Sequence, residues 1–280
     1  STFGKKFTVT TWGESHGKAL GAVVDGVPAG LFLTEADIQA YLDRRKPGQS
    51  RYTTARKEGD EVEILSGVFE GQTTGTPISL IVRNKDQRSR DYGNIAKTYR
   101  PGHADFGFDS KYGFRDYRGG GRSSGRETIG RVAAGAIAAK ILKELGITLQ
   151  AYTRSIGPVS CHSYHPEVIK ENSFYMPDMV AAEKASQYLE QCMKEEDSAG
   201  GVIECRINGV PAGIGDPVFG KLDAAFAQAL MSIGAVKAVG IGDGIKVSTM
   251  KGSEDNDGFH MENGRIVKTT NHSGGILGGI

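Results

Sequence analysis

The stretch Phe7-Thr-Val-Thr-Thr-Trp12-Gly-Glu-Ser-His16-Gly17-Lys-Ala19-Leu-Gly-Ala-Val-Val-Asp25-Gly-Val27 decides the fold class. Residues 7–11 and 19–27 are apolar, β-branched runs of strand length, separated only by a glycine-bounded turn. Pro28-Ala-Gly30 closes the second run. Two strands in succession, with no helix between them, do not make a βαβ unit. Working outward, Thr34-Glu-Ala-Asp37 reads as a capping box that opens a helix over 34–45, stopped by Pro47-Gly48. Residues 62–69 and 77–82 are further strands. Helices are expected over 128–145, 179–193 and 219–231, and strands over 201–207 and 236–240. Strands come in groups with helices between the groups, which favours α+β over a doubly wound sheet. No short solenoid-type repeat is visible.

Composition narrows the functional classes. The chain has 280 residues, with 34 Lys+Arg against 33 Asp+Glu and 38% hydrophobic residues. That is long enough for a large core, and a net charge of +1 supplies no global field for nucleic acid or an anionic membrane. The three cysteines, Cys161, Cys192 and Cys205, have no CxxC spacing. A disulfide framework and a cysteine-based zinc site are therefore not expected, and a reducing, cytoplasmic setting is. The start lacks the apolar core of a signal peptide, and the longest charge-free apolar run, 132–139, is far short of the ~20 residues that span a bilayer. Two features are unusual. Glycine accounts for 40 residues, about twice the usual ~7%, and 13 of the 16 arginines fall between Arg44 and Arg131. Clustered guanidinium groups match phosphate and carboxylate oxygens two at a time.

Several stretches are candidates for chemistry. Gly13-Glu-Ser-His16-Gly17 sets an imidazole in a tight turn at a strand end, where it can exchange a proton near neutral pH. Arg100-Pro-Gly-His103-Ala-Asp105 is a second such turn, with Asp105 near enough in sequence to orient the ring if the chain bends. The remaining histidines, His162, His165, His260 and His272, lie in polar stretches and read as surface residues. No histidine pair has the spacing of a metal site, and none is expected. Arg44 and Arg45 would compensate a helix C-terminus, but the run continues through Arg51, Arg56 and Lys57, so an anion site is the better reading. Arg118-Gly-Gly-Gly121-Arg-Ser123-Ser124-Gly-Arg126-Glu127 leads straight into the 128–145 helix and reads as an anion cradle of N–H groups at a helix start. It is neither a Walker loop nor a dinucleotide fingerprint. Residues 84–126 hold seven aromatic residues without sustained period and read as an ordered binding loop. Ser273-Gly-Gly-Ile-Leu-Gly278-Gly279 is a further glycine-rich turn, suited to backbone lying against a flat ring system.

Taken together, these stretches closely resemble the chorismate synthase family from end to end. Gly13–Gly17 through Asp25-Gly-Val-Pro28 is similar to its first signature, and Gly121-Arg-Ser-Ser-Gly-Arg126-Glu-Thr128 through Gly135 to its second. Arg100–Asp105, Asp116-Tyr-Arg-Gly-Gly-Gly121 and Ser273–Gly279 follow in the same order and spacing. The resemblance implies a single domain over 1–280. Its fold would be a β-α-β sandwich, with central helices flanked by antiparallel sheets, assembled as a homotetramer. It implies an anti-1,4-elimination of phosphate from 5-enolpyruvylshikimate 3-phosphate to give chorismate, in the shikimate pathway of aromatic amino acid biosynthesis. The reaction requires reduced FMN (FMNH2), although it involves no net redox change. NADPH enters as an indirect reductant. By motif position, His16 would protonate the departing phosphate and His103 the reduced flavin. Arg45, Arg51, Arg100 and Arg126 would hold substrate anions, with NADPH as the alternative ligand of Arg45 and Arg51. Arg122, Ser123, Ser124, the Gly234-Ala235 turn and Gly278 would contact FMN.

The family continues past the motif at which this sequence stops, through a Lys-Pro-Thr-Ser-Ser and an Arg-His-Asp-Pro-Cys stretch. The chain is therefore expected to lack a C-terminal part. Two other classes are compatible with parts of the pattern. An NAD(P)H-dependent flavin oxidoreductase would share the glycine-rich contacts. A non-catalytic anion-binding module would account for the arginines but not for two histidines in glycine-bounded turns.

Overall fold

A computed structural model describes residues 1–48, 50, 52, 59–85 and 96–280. It divides into two compact units, Ser1–Gly209 and Val210–Ile280.

The first unit is built on the predicted hairpin. Strands β1 (Thr2–Phe3), β2 (Thr8–Gly13) and β3 (Ala19–Asp25) lead to helix α1 (Glu35–Arg45) and strand β4 (Val62–Ile64). Strands β5 (Val68–Phe69) and β6 (Gln72–Thr73) pair with each other, Gln72 also bridges Phe32, and β7 (Ile78–Arg83) returns to the main sheet. The sheet order is β1-β2-β3-β7-β4, every pair antiparallel. The expected strand over 62–69 is thus broken. Gly67, at φ +80°, turns the chain out of the sheet, and β5 pairs elsewhere. Helix α1 starts as its capping box dictates, with the Asp37 carboxylate accepting from the Thr34 N–H (2.8 Å) and hydroxyl (3.0 Å).

Alternation places Leu20, Ala22 and Val24 of β3 beside Ile78, Leu80 and Val82 of β7 on one buried face. Helix α2 (Asp105–Tyr112) follows, and then α3 (Thr128–Glu144) covers that face together with Ile38 and Leu42 of α1. Small residues let α3 approach closely. A Cβ on Gly130 would lie 2.9 Å from Thr11 Cγ2 and 3.0 Å from the Gly21 carbonyl. A three-stranded antiparallel sheet completes the unit, formed by β8 (Thr148–Ile156), β9 (Val159–Ser160) and β10 (Gly201–Asn208) in the order β10-β8-β9. Helix α4 (Met179–Lys194) packs beside it through Ala181, Ala182 and Ala185 against Ile156 and Val159. Helices on antiparallel sheets make an α+β fold, as expected. Within the aperiodic stretch, α2 corrects the reading of 84–126 as loop. Residues 86–95 lie outside the described residues. The strand β8 was not anticipated.

In the second unit, α5 (Leu222–Met231) and the short α6 (Gly252–Asp255) precede a hairpin of β11 (Phe259–Glu262) and β12 (Arg265–Lys268). Its turn is Asn263-Gly264, both at positive φ, the geometry that a two-residue hairpin prefers. The expected strand over 236–240 is absent. That run follows a turn closed by Val236 N–H to the Ile233 carbonyl and pairs with no strand, so its β-branched residues have no ladder to join. Among the described residues, no helix is long and apolar enough to cross a membrane.

Candidate active site

The loop of the β2–β3 hairpin carries His16. Gly13 turns the chain at φ +84°, where a Cβ would meet the Ala19 carbonyl at 2.3 Å. Ser15 is buried, and its hydroxyl lies 3.1 Å from His16 Nδ1. The backbone of Gly119 rests against the imidazole and close to the Ser15 hydroxyl. A Cβ there would fall 2.3 Å from Nδ1 and 2.5 Å from Cε1. Only glycine, here at φ +89°, lets the arginine-glycine segment lie directly on the ring.

The same Gly119 joins His16 to the second histidine. Its carbonyl accepts from Arg100 Nη2 (2.9 Å), and Arg100 grips Asp105 through Nε to Oδ2 (2.9 Å) and Nη2 to Oδ1 (2.8 Å). The Arg100 N–H adds a bond to Oδ2 (3.1 Å), and His103 Nδ1 lies 2.9 Å from Oδ1. The bend that would bring Asp105 to His103 is therefore present. His103 Nδ1 is also within hydrogen-bond distance of Arg100 Nη2 (3.2 Å), so this ring nitrogen faces both the carboxylate and the guanidinium, and the tautomer decides which of them it bonds. Asp105 is almost wholly buried at the first turn of α2. The Arg100 hydrogen bonds hold its carboxyl well below the usual carboxylate range despite that burial, so it is ionised at neutral pH. Arg115, also buried, pairs with Asp109 (3.2 Å) and lies 4.0 Å from Asp105.

A second buried carboxylate organises two more of the expected residues. Asp60, whose side chain has no exposed surface, meets Arg45 Nη1 at 2.6 Å and Arg126 Nη2 at 3.1 Å. Arg45 Nε also donates to the Thr128 hydroxyl (3.2 Å), tying the end of α1 to the start of α3. Arg126 Nη2 donates to Asn84 Oδ1 (2.9 Å), while Nε and Nη1 are buried with no hydrogen-bond partner among the described residues. Two buried donors on a guanidinium held in place are what an anionic ligand would satisfy.

The glycine-rich segment is more ordered than a cradle of open N–H groups. Two 3₁₀ turns, Gly121–Ser123 and Gly125–Glu127, precede α3. The N–H groups of Ser123, Ser124 and Glu127 donate within these turns, and that of Arg126 donates to Ser124 Oγ. Ser123 Oγ donates to the Gly120 carbonyl (2.6 Å). Arg122 braces β2, reaching the Gly13 carbonyl (2.8 Å) and the Thr11 hydroxyl (2.6 Å). The buried side-chain donors of this segment that have no hydrogen-bond partner among the described residues are Nε and Nη1 of Arg126.

The first unit therefore brings together His16, Arg45, Arg100, His103, Arg122, Ser123, Ser124 and Arg126. Arg51 lies outside the described residues, as do Arg56 and Lys57. Gly234 and Ala235 form a turn in the second unit, with Ala235 at φ +68°, and Gly278 lies there at φ +62°. In that unit Asp257 accepts from the Thr270 hydroxyl (2.7 Å) and from the N–H groups of His272 and Ser273, fixing the start of the Ser273–Gly279 turn. His272 pairs with Asp243 (2.8 Å) and is more than a surface residue. The sequence did not reveal Asp60, Asn84 or Arg115. Asp60 and Asn84 act through partners distant in sequence, and no local motif marks any of the three.

The chorismate synthase family model matches residues 7–280. The chain belongs to the chorismate synthase family. It is 64% identical over its whole length to the chorismate synthase of Agathobacter rectalis, spanning 77% of that protein, and 57% identical to that of Methanocella arvoryzae, spanning 76%. A crystal structure of a chorismate synthase superposes with a TM-score of 0.82 at 33% identity, covering 98% of this chain and 81% of that one. Chorismate synthases are lyases, and lyase chemistry rather than steady NAD(P)H oxidation is this chain's activity.

Proposed function

We propose that the cluster around the β2–β3 loop carries out the elimination of phosphate from 5-enolpyruvylshikimate 3-phosphate to give chorismate, with reduced FMN as cofactor. The observation that carries this reading is the pair of buried donors on Arg126 that have no hydrogen-bond partner among the described residues, beside a loop that presents His16. The donor set fits the ligands. Substrate and flavin bring two carboxylates and two phosphates, and the described site meets them with Arg45, Arg100, Arg126 and a stretch of glycine backbone. Reduced FMN, when bound, supplies electron density to the breaking C–O bond and accepts the hydrogen lost from C6.

The remaining steps fall to the chain. Arg126 binds a substrate oxyanion through Nε and Nη1, and Arg45 is set beside it by their common carboxylate. Two guanidinium groups on one carboxylate keep a net positive charge, which favours an anion. His16 gives a proton to the phosphate as the C–O bond breaks and the electron pair leaves with it. His103, held at Nδ1 by Asp105, gives its proton from Nε2 toward the flavin. Arg122, Ser123, Ser124, Gly234, Ala235 and Gly278 are the proposed flavin contacts, Arg51 a further anion ligand, and NADPH an indirect source of reducing equivalents.

A homotetramer, and a single functional domain over 1–280, belong to the same reading. Large apolar side chains at the surface, such as Phe219, Ile245 and Ile266, support assembly. A cytoplasmic setting is supported by three free cysteines.

Arg126→Lys keeps the charge but removes the fork, and is expected to raise the KM for 5-enolpyruvylshikimate 3-phosphate about tenfold or more. Steady-state kinetics with chemically reduced FMN measure this. An unchanged KM would remove Arg126 from the site.

A further inference from the structure

Asn84 joins two parts of the proposed site, and neither the chemistry above nor any motif has used it. It follows β7, where its N–H donates to the Lys18 carbonyl (3.1 Å) and carries the β3–β7 pairing one bond further, up to the hairpin loop. Its carboxamide has three partners. Nδ2 donates to the carbonyls of Glu14 (3.0 Å) and Gly17 (2.8 Å), the residues flanking Ser15-His16. Oδ1 accepts from Arg126 Nη2 (2.9 Å). The amide orientation is fixed by chemistry, because backbone carbonyls only accept and a guanidinium only donates. Both Nδ2 protons are committed to the loop, and the oxygen faces the same guanidinium that Asp60 holds.

We propose that Asn84 is a positioning residue, tying the anion-binding guanidinium of Arg126 to the loop that carries His16, so that bound anion and proton donor keep one geometry. This rests on the roles of His16 and Arg126 proposed above. A loop clamped on both flanks holds the imidazole where the departing phosphate needs it. A displacement of about 1 Å at a reacting group costs up to about 10²-fold in rate. No other residue type of this size offers two donors and one acceptor in a single plane, apart from the longer glutamine.

The test is a double-mutant cycle on the full-length protein with reduced FMN and 5-enolpyruvylshikimate 3-phosphate. Asn84→Ala is expected to lower kcat about 10–100-fold, with far-UV circular dichroism retained. In a His16→Ala background the same change is expected to lower kcat less than about twofold, since a residue acting through His16 has nothing left to position. Asn84→Asp is close to asparagine in volume but sets a carboxylate against two carbonyls. It is expected to show the same background dependence, and it keeps the test readable if the alanine variant fails to fold. Wild-type kcat in Asn84→Ala, or the same factor lost with and without His16, would overturn the proposal. Wild-type kcat in His16→Ala alone would instead overturn the role of His16, and the coupling with it.

Discussion

Replacing His16 with alanine is expected to lower kcat for chorismate formation by about 10²–10⁴-fold, the usual range for a lost general acid. The KM is expected to change little, because Arg126 takes its position from Asp60 and Asn84. The ring lies on the Gly119 backbone and beside the buried Ser15 hydroxyl, while Arg126 is held by Asp60 and Asn84. Rapid-quench measurement of phosphate release separates this chemical step from product release. Loss of phosphate release in the first turnover supports His16 as the donor to the leaving group. A variant with the wild-type burst would contradict it.

The second large effect is on stability. Asp60→Ala is expected to destabilise the fold by about 3–5 kcal/mol, the range for removing one partner of a buried ion pair. Asp60 has no exposed side-chain surface and is approached by Arg45 and Arg126, the latter with about 7% of its side chain exposed. Removing the carboxylate leaves two guanidinium groups facing each other without the negative charge they share. Repulsion would push one or both out of position and loosen the junction of α1 with α3. Urea unfolding monitored at Trp12 measures the loss. An unchanged midpoint would mean that Asp60 does not carry the pair. A low concentration of substrate should restore part of the lost stability, since an anion would replace the missing charge.

The parts of the fold that were legible in the sequence are those in which residues close along the chain settle the structure. The Thr34/Asp37 capping box starts α1, two apolar runs on either side of Gly13–Gly17 make the hairpin, and an alanine-rich run makes α3. Helix α2 was missed because no apolar stripe marks it. Asp105 is its buried residue, and the helix is held by that carboxylate's bonds to Arg100 rather than by hydrophobic packing. Strand β8 was missed because Gln150, Thr153 and Arg154 dilute its apolar pattern, and its stability comes from pairing along its length with β10. The opposite error arose at 236–240, where a β-branched run has no partner strand.

The site divides along the same line. Both histidine turns were visible as motifs because glycine and proline fix their local shape. What holds them together was not. Asp60 and Asn84 are ordinary polar residues whose significance lies in contacts across the fold, including the bond of Arg126 to Asn84 across 42 positions and that of Asn84 to Gly17 across 67. The clustered glycines predict backbone that approaches something closely, in this segment an anion. Gly119 is instead room for His16, the protein's own side chain.

The elimination proposed for these residues is redox-neutral, with phosphate leaving as chorismate forms. Anaerobic turnover of 5-enolpyruvylshikimate 3-phosphate by the full-length protein with chemically reduced FMN, following chorismate absorbance and free phosphate together, tests it. One phosphate per chorismate is expected over many turnovers, with no net oxidation of the flavin. Tight binding of reduced FMN without product, or steady NAD(P)H oxidation in the absence of the phosphate ester, would contradict it.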